Sequence, residues 1–210
     1  MSVQGFAPQD FAVFTIDGLA PRMEALRERI QPKFRLLGDE LRADLSAQAG
    51  HELHVHIAQH LRRTTNPPKD TWMAFAPGKR GYKMLPHFQI GLFDDHLFLW
   101  FALIYELPEK AAIAGRLLRG VRKLKALVPD DYVISLDHTK KDHYRAGDWK
   151  ERDWRAALER LRDVRSAEFL VGRHLQPDDP RVADGQSLAE LARETFAVLM
   201  PFYETAVAAR

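Results

Sequence analysis

The 210-residue chain contains no cysteine. Disulfides, thiolate metal sites, iron–sulfur clusters and cysteine nucleophiles are therefore excluded. Long apolar runs are also missing. The longest, Leu97 to Tyr105, has nine residues, where a membrane-spanning helix needs roughly 20. No apolar stretch follows a basic start, so no signal peptide and no membrane partner are expected, and a cytoplasmic location is the default expectation. Charge of one sign is not in excess either: 31 lysines and arginines against 29 acids leave a net charge of +2, which does not imply bulk nucleic-acid binding. A Walker loop, a dinucleotide fingerprint, a Gly-x-Ser-x-Gly elbow and a His-Glu-x-x-His pair are all absent. No repeat, low-complexity tract or linker-like break divides the chain, so residues 1–210 read as one domain. No cofactor is expected, and no reaction is named.

What the sequence does contain is a concentration of positive charge between residues 55 and 92. From Arg62 to Lys83 there are six basic residues (Arg62, Arg63, Lys69, Lys79, Arg80, Lys83) and a single acid, Asp70. Asn66, Trp72, Phe75, Tyr82, His87 and Gln89 are interleaved with them. Cations mixed with aromatic and amide groups on turns between strands suit a planar, anionic or phosphorylated ligand. Asn66-Pro67-Pro68 predicts a rigid extended turn, because proline locks φ and restrains the residue before it. Pro77-Gly78-Lys79-Arg80-Gly81 predicts a second turn whose glycines allow close backbone approach. The expected ligand set is Arg62, Arg63, Asn66, Trp72, Lys79, Arg80, Tyr82, Lys83, His87 and Gln89. The competing reading is a solvated hairpin tip blunted by lysine against edge pairing.

The same stretch carries a resemblance. His56-x-x-x-His60-x-Arg62-Arg63-Thr64-x-Asn66-Pro67-Pro68-x-Asp70-Thr71-Trp72-x-Ala74-Phe75, followed by Lys79-Arg80-Gly81-Tyr82-Lys83-x-Leu85-Pro86-His87-Phe88-Gln89-Ile90-Gly91-Leu92, resembles the YktB-like family of uncharacterised bacterial proteins, a domain of unknown function. The likeness extends to Phe11-x-x-Phe14-Thr15-Ile16-x-Gly18-Leu19, to Asp137-His138-Thr139-Lys140 and to Thr195-Phe196. It implies a single compact α/β domain and brings no established activity with it. His54 departs from the family pattern, where an apolar or aromatic residue is usual.

Periodicity predicts the elements. Pro8 opens a short helix over 8–16. Met23, Leu26, Ile30, Phe34 and Leu37 form a helical stripe that Pro32 should kink and Gly38 should end, with a third helix over 39–49 stopped by Gly50. Alternation then predicts strands over 53–60, 71–76, 86–93 and 96–105, the last nearly all apolar and therefore central. Asp94-Asp95 should join the third and fourth as an antiparallel hairpin. A helix of about 20 residues after Pro108 buries Ile113, Leu117, Val121, Leu124 and Val128. Its other face carries Arg116, Arg119, Arg122 and Lys123, which reads as solvated. A fifth strand over 132–136, a helix over 148–164 opened by Asp148-x-x-Glu151, a sixth strand over 168–175, a surface loop over 176–186 and a last helix opened by Ser187-x-x-Glu190 complete the order. The fold class is α+β: one antiparallel or mixed sheet of about six strands with helices packed on it.

Histidines are the candidate catalytic groups: His56, His60, His87 and His138, any of which could act as a general base. His54 and His56 share a strand face roughly 7 Å apart, and with His60 could supply metal ligands. A half-exposed strand accepts histidine equally well, so no metal is expected. Asp137 and His138 are adjacent on a strand and point to opposite faces, so they do not form a simple dyad, and Asp137 instead suits a turn into Thr139. Three functions from different classes follow: binding of an anionic small molecule or nucleotide, with a short nucleic-acid strand possible; hydrolysis or group transfer by a histidine base, with or without a metal; and protein interaction without a small ligand.

Overall fold

The computed structural model describes residues 3–208. Its centre is one antiparallel sheet of seven strands: β1 (His54–Ile57), β2 (Thr71–Ala76), β3 (His87–Leu92), β4 (Leu97–Leu103), β5 (Val133–Ser135), β6 (Tyr144–Arg145) and β7 (Phe169–Leu175), in the order β1-β2-β3-β4-β7-β5-β6. The class is α+β, with helices packed on this single sheet. The apolar strand β4 lies in the middle. Asp94-Asp95 closes the β3–β4 hairpin, with Leu92 opposite Leu97. The strand missing from the sequence reading is β6, two exposed residues paired to β5, too short and too solvated to show alternation.

Alternation sorts the strand residues onto two faces. Phe75, Phe88, Ile90, Leu99, Phe101 and Val171 face the helices and join the main core. Against them pack α3 (Gln31–Ala49) and α7 (Gly185–Val207), and beside these α4 (Lys110–Leu127) and α5 (Glu151–Asp163). Phe88 lies 4.8 Å from Phe196 and 5.2 Å from Tyr203 of α7, ring centre to ring centre. Trp72, Ala74, Phe98, Trp100, Ala102 and Leu170 point the other way, into a second apolar cluster that also takes in Tyr82. Among the described residues no α-helix contributes to that cluster. Loops cover it instead, and this leaves room for a cleft.

The helices depart from expectation at their ends. α1 (Pro8–Phe11) opens with proline as expected. α2 (Leu19–Ala25) continues through a π-helical turn, Leu26–Ile30, into α3. That turn takes up the distortion expected at Pro32, whose nitrogen has no hydrogen to donate. Gly38 does not end the helix. A Cβ there would lie 2.8 Å from Val55 Cγ1, so glycine lets α3 approach β1. The stop is Gly50, at φ 73°. α5 begins at Glu151, where Asp153 accepts from the Lys150 backbone N–H at 2.8 Å; the Asp148-x-x-Glu151 pair lies one turn too early. The 176–186 segment contains a short helix, α6 (Pro180–Ala183). α7 is capped by Asp184, which accepts from Ser187 N at 2.8 Å, not by Ser187 itself.

Candidate functional site

Four loops that cover the second face, together with α2, enclose a cleft of about 1200 Å³. The β1–β2 loop supplies His60, Arg62, Arg63, Asn66, Lys69 and Asp70. Tyr82 and Lys83 come from the β2–β3 loop, Tyr105 follows β4, and His138 and Thr139 follow β5. Arg22 of α2 closes one side and ties the β1–β2 loop down, donating to Ile16 O and Pro68 O at 2.8 and 2.9 Å.

Trp72 is the group around which the others sit. Its indole N–H donates to the Tyr82 hydroxyl at 2.9 Å. The Lys83 ammonium lies 5.2 Å from its ring, a cation–π contact. His60 and His138 meet it edge-on at 5.7 and 6.0 Å. His60 is held at φ 50°, a left-handed conformation that, among the described residues, no other non-glycine residue adopts. Such backbone costs on the order of 1–3 kcal/mol and persists where surrounding contacts enforce it. Its Nε2 lies 3.1 Å from Thr71 Oγ1. Burial, then Arg63 and Lys83, push its pKa down to about 4, so the imidazole is neutral at physiological pH.

Asp70 is 7% exposed. Burial drives its carboxyl up to about 6, although His138, Arg63 and Lys83 pull the other way. The carboxylate has no ion-pair partner within salt-bridge distance among the described residues. Arg62 and Lys83 share Glu106, each at 3.8 Å. Arg63 donates to the Asn66 carbonyl at 3.3 Å.

His138 meets a second carboxylate, Glu168, at the entrance to β7. Its Nδ1 lies 2.8 and 2.9 Å from the two Glu168 oxygens. The His138 backbone N–H donates to Oε2 at 2.7 Å, and that of Tyr105 donates to Oε1 at 3.2 Å. Glu168 is 3% exposed, so these donors replace the water it has lost. With Nδ1–H turned to a carboxylate, Nε2 is the ring's acceptor. Asp137, His138 and Glu168 offer ligand atoms within 4.8 Å of one another. Their contacts favour a proton over an ion, however. Glu168 holds the Nδ1 hydrogen, and Asp137 Oδ1 accepts from Thr139 N and Oγ1 at 3.0 and 2.7 Å.

A family model described as "Domain of unknown function (DUF1054)" matches residues 6–203. The chain belongs to the DUF1054 family. It is 53% identical to a UPF0637 protein of Shouchella clausii over 209 residues, covering 100% of this chain and 98% of that one. It is 50% identical to a UPF0637 protein of Oceanobacillus iheyensis, with 99% of each chain covered. With a UPF0637 protein of Listeria monocytogenes it shares 45% identity over 99% of this chain and 100% of the relative. These are bacterial proteins whose names specify neither ligand nor reaction, so the chemistry rests on the residues of this DUF1054 chain.

Of the residues singled out in the sequence, Arg62, Arg63, Asn66, Trp72, Tyr82, Lys83, His60 and His138 converge on the cleft. Lys79 and Arg80 do not line it; they are exposed at the tip of the β2–β3 loop. His87 and Gln89 lie buried behind Tyr82, with the His87 ring edge-on to Tyr82 at 5.4 Å. Their hydrogen bonds close on themselves: His87 Nδ1 to Leu85 O at 2.7 Å, and Gln89 Nε2 to His87 Nε2 at 2.8 Å. Burial lowers the His87 pKa to about 4. These two support the tyrosine from below. His56 stacks on the other side of Tyr82 at 5.0 Å and bonds Gly78 O at 2.8 Å. His54 is 3.8 Å from Glu52 and does not belong to the Asp137–His138–Glu168 group. Arg22, Asp70, Tyr105 and Glu168 were not anticipated. For Asp70 there was a usable signal, a lone acid in a basic run. For Glu168, 30 residues from His138, there was none.

Proposed function

We propose that the cleft binds a phosphorylated small molecule carrying a planar group, with nucleotides as the leading class. The observation that carries this reading is the imbalance of charge around the cleft. Among the described residues, Arg22, Arg62, Arg63, Lys69 and Lys83 line the cleft with Asp70 as its only carboxyl, and burial favours the neutral form of that carboxyl. Glu106 offsets part of the charge, since Arg62 and Lys83 both lean on it. Arg63 and Lys69 have no carboxylate partner among the described residues. Arginine forks and a lysine point charge fit phosphate oxygens. Trp72, Tyr82 and Tyr105 offer ring faces and edges for a base, and the volume suits a ligand of nucleotide size.

The test is calorimetric titration with a panel of nucleotides, sugar phosphates and short oligonucleotides at two salt concentrations. Arg63→Ala should weaken the best ligand by about 1.5–3 kcal/mol, the scale of a hydrogen bond to a charged group. Arg80→Ala, outside the cleft, should leave affinity unchanged. Failure of the whole panel to bind below millimolar at low salt sinks the anion site and leaves the protein-interaction reading as the fallback. Leu61 and Met84, at 87% and 52% exposure on the covering loops, are the side chains to examine in that case.

A further inference from the structure

We propose that the cleft is a hydrolytic site for esters or anhydrides of phosphate, in which His138, positioned by Glu168, is the general base and Asp70 is the proton donor to the leaving group. This rests on the anion-binding reading of the same cleft and adds a reaction to it.

A buried carboxylate is costly, and here the two oxygens of Glu168 are engaged from two loops: the backbone N–H of Tyr105, and the backbone N–H and imidazole of His138. If the purpose were only to order the loops, the backbone donors would suffice. The contact to Nδ1 fixes the ring and its tautomer, and turns the basic nitrogen away from Glu168. The ring it fixes lines the cleft beside Trp72 and Tyr105. A carboxylate that orients an imidazole at the edge of a cationic cleft is the arrangement a general base needs.

Asp70 is the complementary group. It lines the same cleft, is nine-tenths buried, and feels the charges of His138, Arg63 and Lys83 without a salt bridge to any of them among the described residues. In that setting its carboxyl retains a proton up to a pH of about 6. A buried carboxyl that keeps its proton, and an imidazole whose Nδ1 is taken by a carboxylate so that Nε2 is left to accept, can divide acid and base roles between them.

The step balances. A water loses one proton to Nε2 of His138 as its oxygen bonds to phosphorus. The bond from phosphorus to the leaving oxygen breaks, and that oxygen takes the proton of Asp70. Inorganic phosphate and an alcohol result (for an anhydride, a second phosphate). His138 is left protonated and Asp70 ionised, and exchange with solvent resets both. Arg62, Arg63 and Lys83 hold the phosphoryl oxygens throughout.

The full chain is assayed with p-nitrophenyl phosphate and glycerol phosphate, following nitrophenol and inorganic phosphate, while calorimetry follows binding of inorganic phosphate. The wild type should hydrolyse both esters. His138→Gln should lower kcat by about 100-fold or more, the usual contribution of a general base. Glu168→Gln should lower kcat while inorganic phosphate affinity stays within about twofold, since a positioning residue acts on the step and not on ground-state binding. Asp70→Asn should slow glycerol phosphate far more than p-nitrophenyl phosphate, because nitrophenolate leaves without a proton. It should also remove the fall in rate above a pH of about 6. A wild type that binds inorganic phosphate and releases no product overturns the base–acid pair and leaves the anion site standing. A wild type that does not bind inorganic phosphate overturns both. Unchanged hydrolysis in His138→Gln overturns the assignment of the base.

Discussion

Asp70 shows how a single side chain in this fold carries a measurable penalty. Its carboxyl moves from an ordinary 3.8 to about 6 on burial. Between those values the folded chain holds a proton that the unfolded chain has released. Stability therefore falls as pH rises through that window and stays low above it. Two units correspond to about 3 kcal/mol. Asp70→Asn should be more stable than wild type in urea denaturation at neutral pH, by up to about 3 kcal/mol, and indistinguishable near pH 4. A less stable variant at neutral pH would mean that the ionised carboxylate is a stabilising partner of the cleft cations. Lys110 is the opposite case, a buried charge fully engaged. Its ammonium donates to Val164 O at 3.0 Å, to Ala167 O at 2.9 Å and to Arg165 O, so it joins the start of α4 to the turn between α5 and β7. Lys110→Met should cost about 2–4 kcal/mol in urea unfolding, because three carbonyls lose their donor. Inorganic phosphate affinity should not change.

Two glycines decide how closely elements approach. Gly38 lets α3 lie against β1: a Cβ there would meet Val55 Cγ1 at 2.8 Å. Alanine would raise helix propensity by about 1 kcal/mol, but the clash falls on a packed β-branched side chain. Gly38→Ala should therefore be net destabilising, and Gly38→Ala with Val55→Ala should recover part of the loss. Thermal unfolding of the two singles and the double measures this coupling, and simple additivity would argue against contact. Gly172 has no such remedy. Its Cβ would lie 1.8 Å from the backbone oxygen of Leu99, on the neighbouring central strand. Gly172→Ala should cost more than the roughly 1–3 kcal/mol of ordinary overpacking, and no single side-chain truncation should rescue it.

For the molecule as a whole, acid sensitivity is set by histidines kept neutral. Burial lowers His60 and His87 to about 4 and His174 to about 2. For His174, the rings of His96 and His143, centred 4.0 and 4.5 Å away, add to the effect. Each folded pKa lies below its unfolded value, so their contribution is full above about pH 6.5 and is lost as pH falls towards the folded values. Asp70 works in the other direction over the same range. For these four groups alone, three protons taken up on unfolding against one released leave a net uptake of about two, or roughly 2–3 kcal/mol of stability lost per pH unit between about pH 6 and pH 4.5, and His56 and His96, also lowered by burial, add to the same direction. Urea midpoints across that range test the slope, and Asp70→Asn should steepen it. A flat profile would mean that the histidines are charged inside the folded protein.

Wherever neighbours along the chain suffice to specify an outcome, the sequence alone determined it. Alternation located β2, β3 and β4. Two aspartates between apolar runs specified the hairpin. The nearly unbroken apolar run of β4 put it at the centre of the sheet. The residue order from His56 to Leu92 indicated the family. Helix ends were less legible, since Gly38 looks like a stop until Val55 is known to press against it, and Ser187 looks like a cap until Asp184 is seen to serve. The site was legible only as a local excess of charge. That excess identified Arg62, Arg63 and Lys83, but it could not separate them from Lys79 and Arg80, because a turn's direction depends on what it packs against. Tertiary structure alone decided that Glu168 meets His138, that Asp70 is buried among cations without pairing, and that His87 and Gln89 support Tyr82 and leave the ligand surface to others. These are contacts across strands distant in sequence, and burial sets the charge states. Periodicity carries information about the face a residue occupies and none about which distant residue it will meet there.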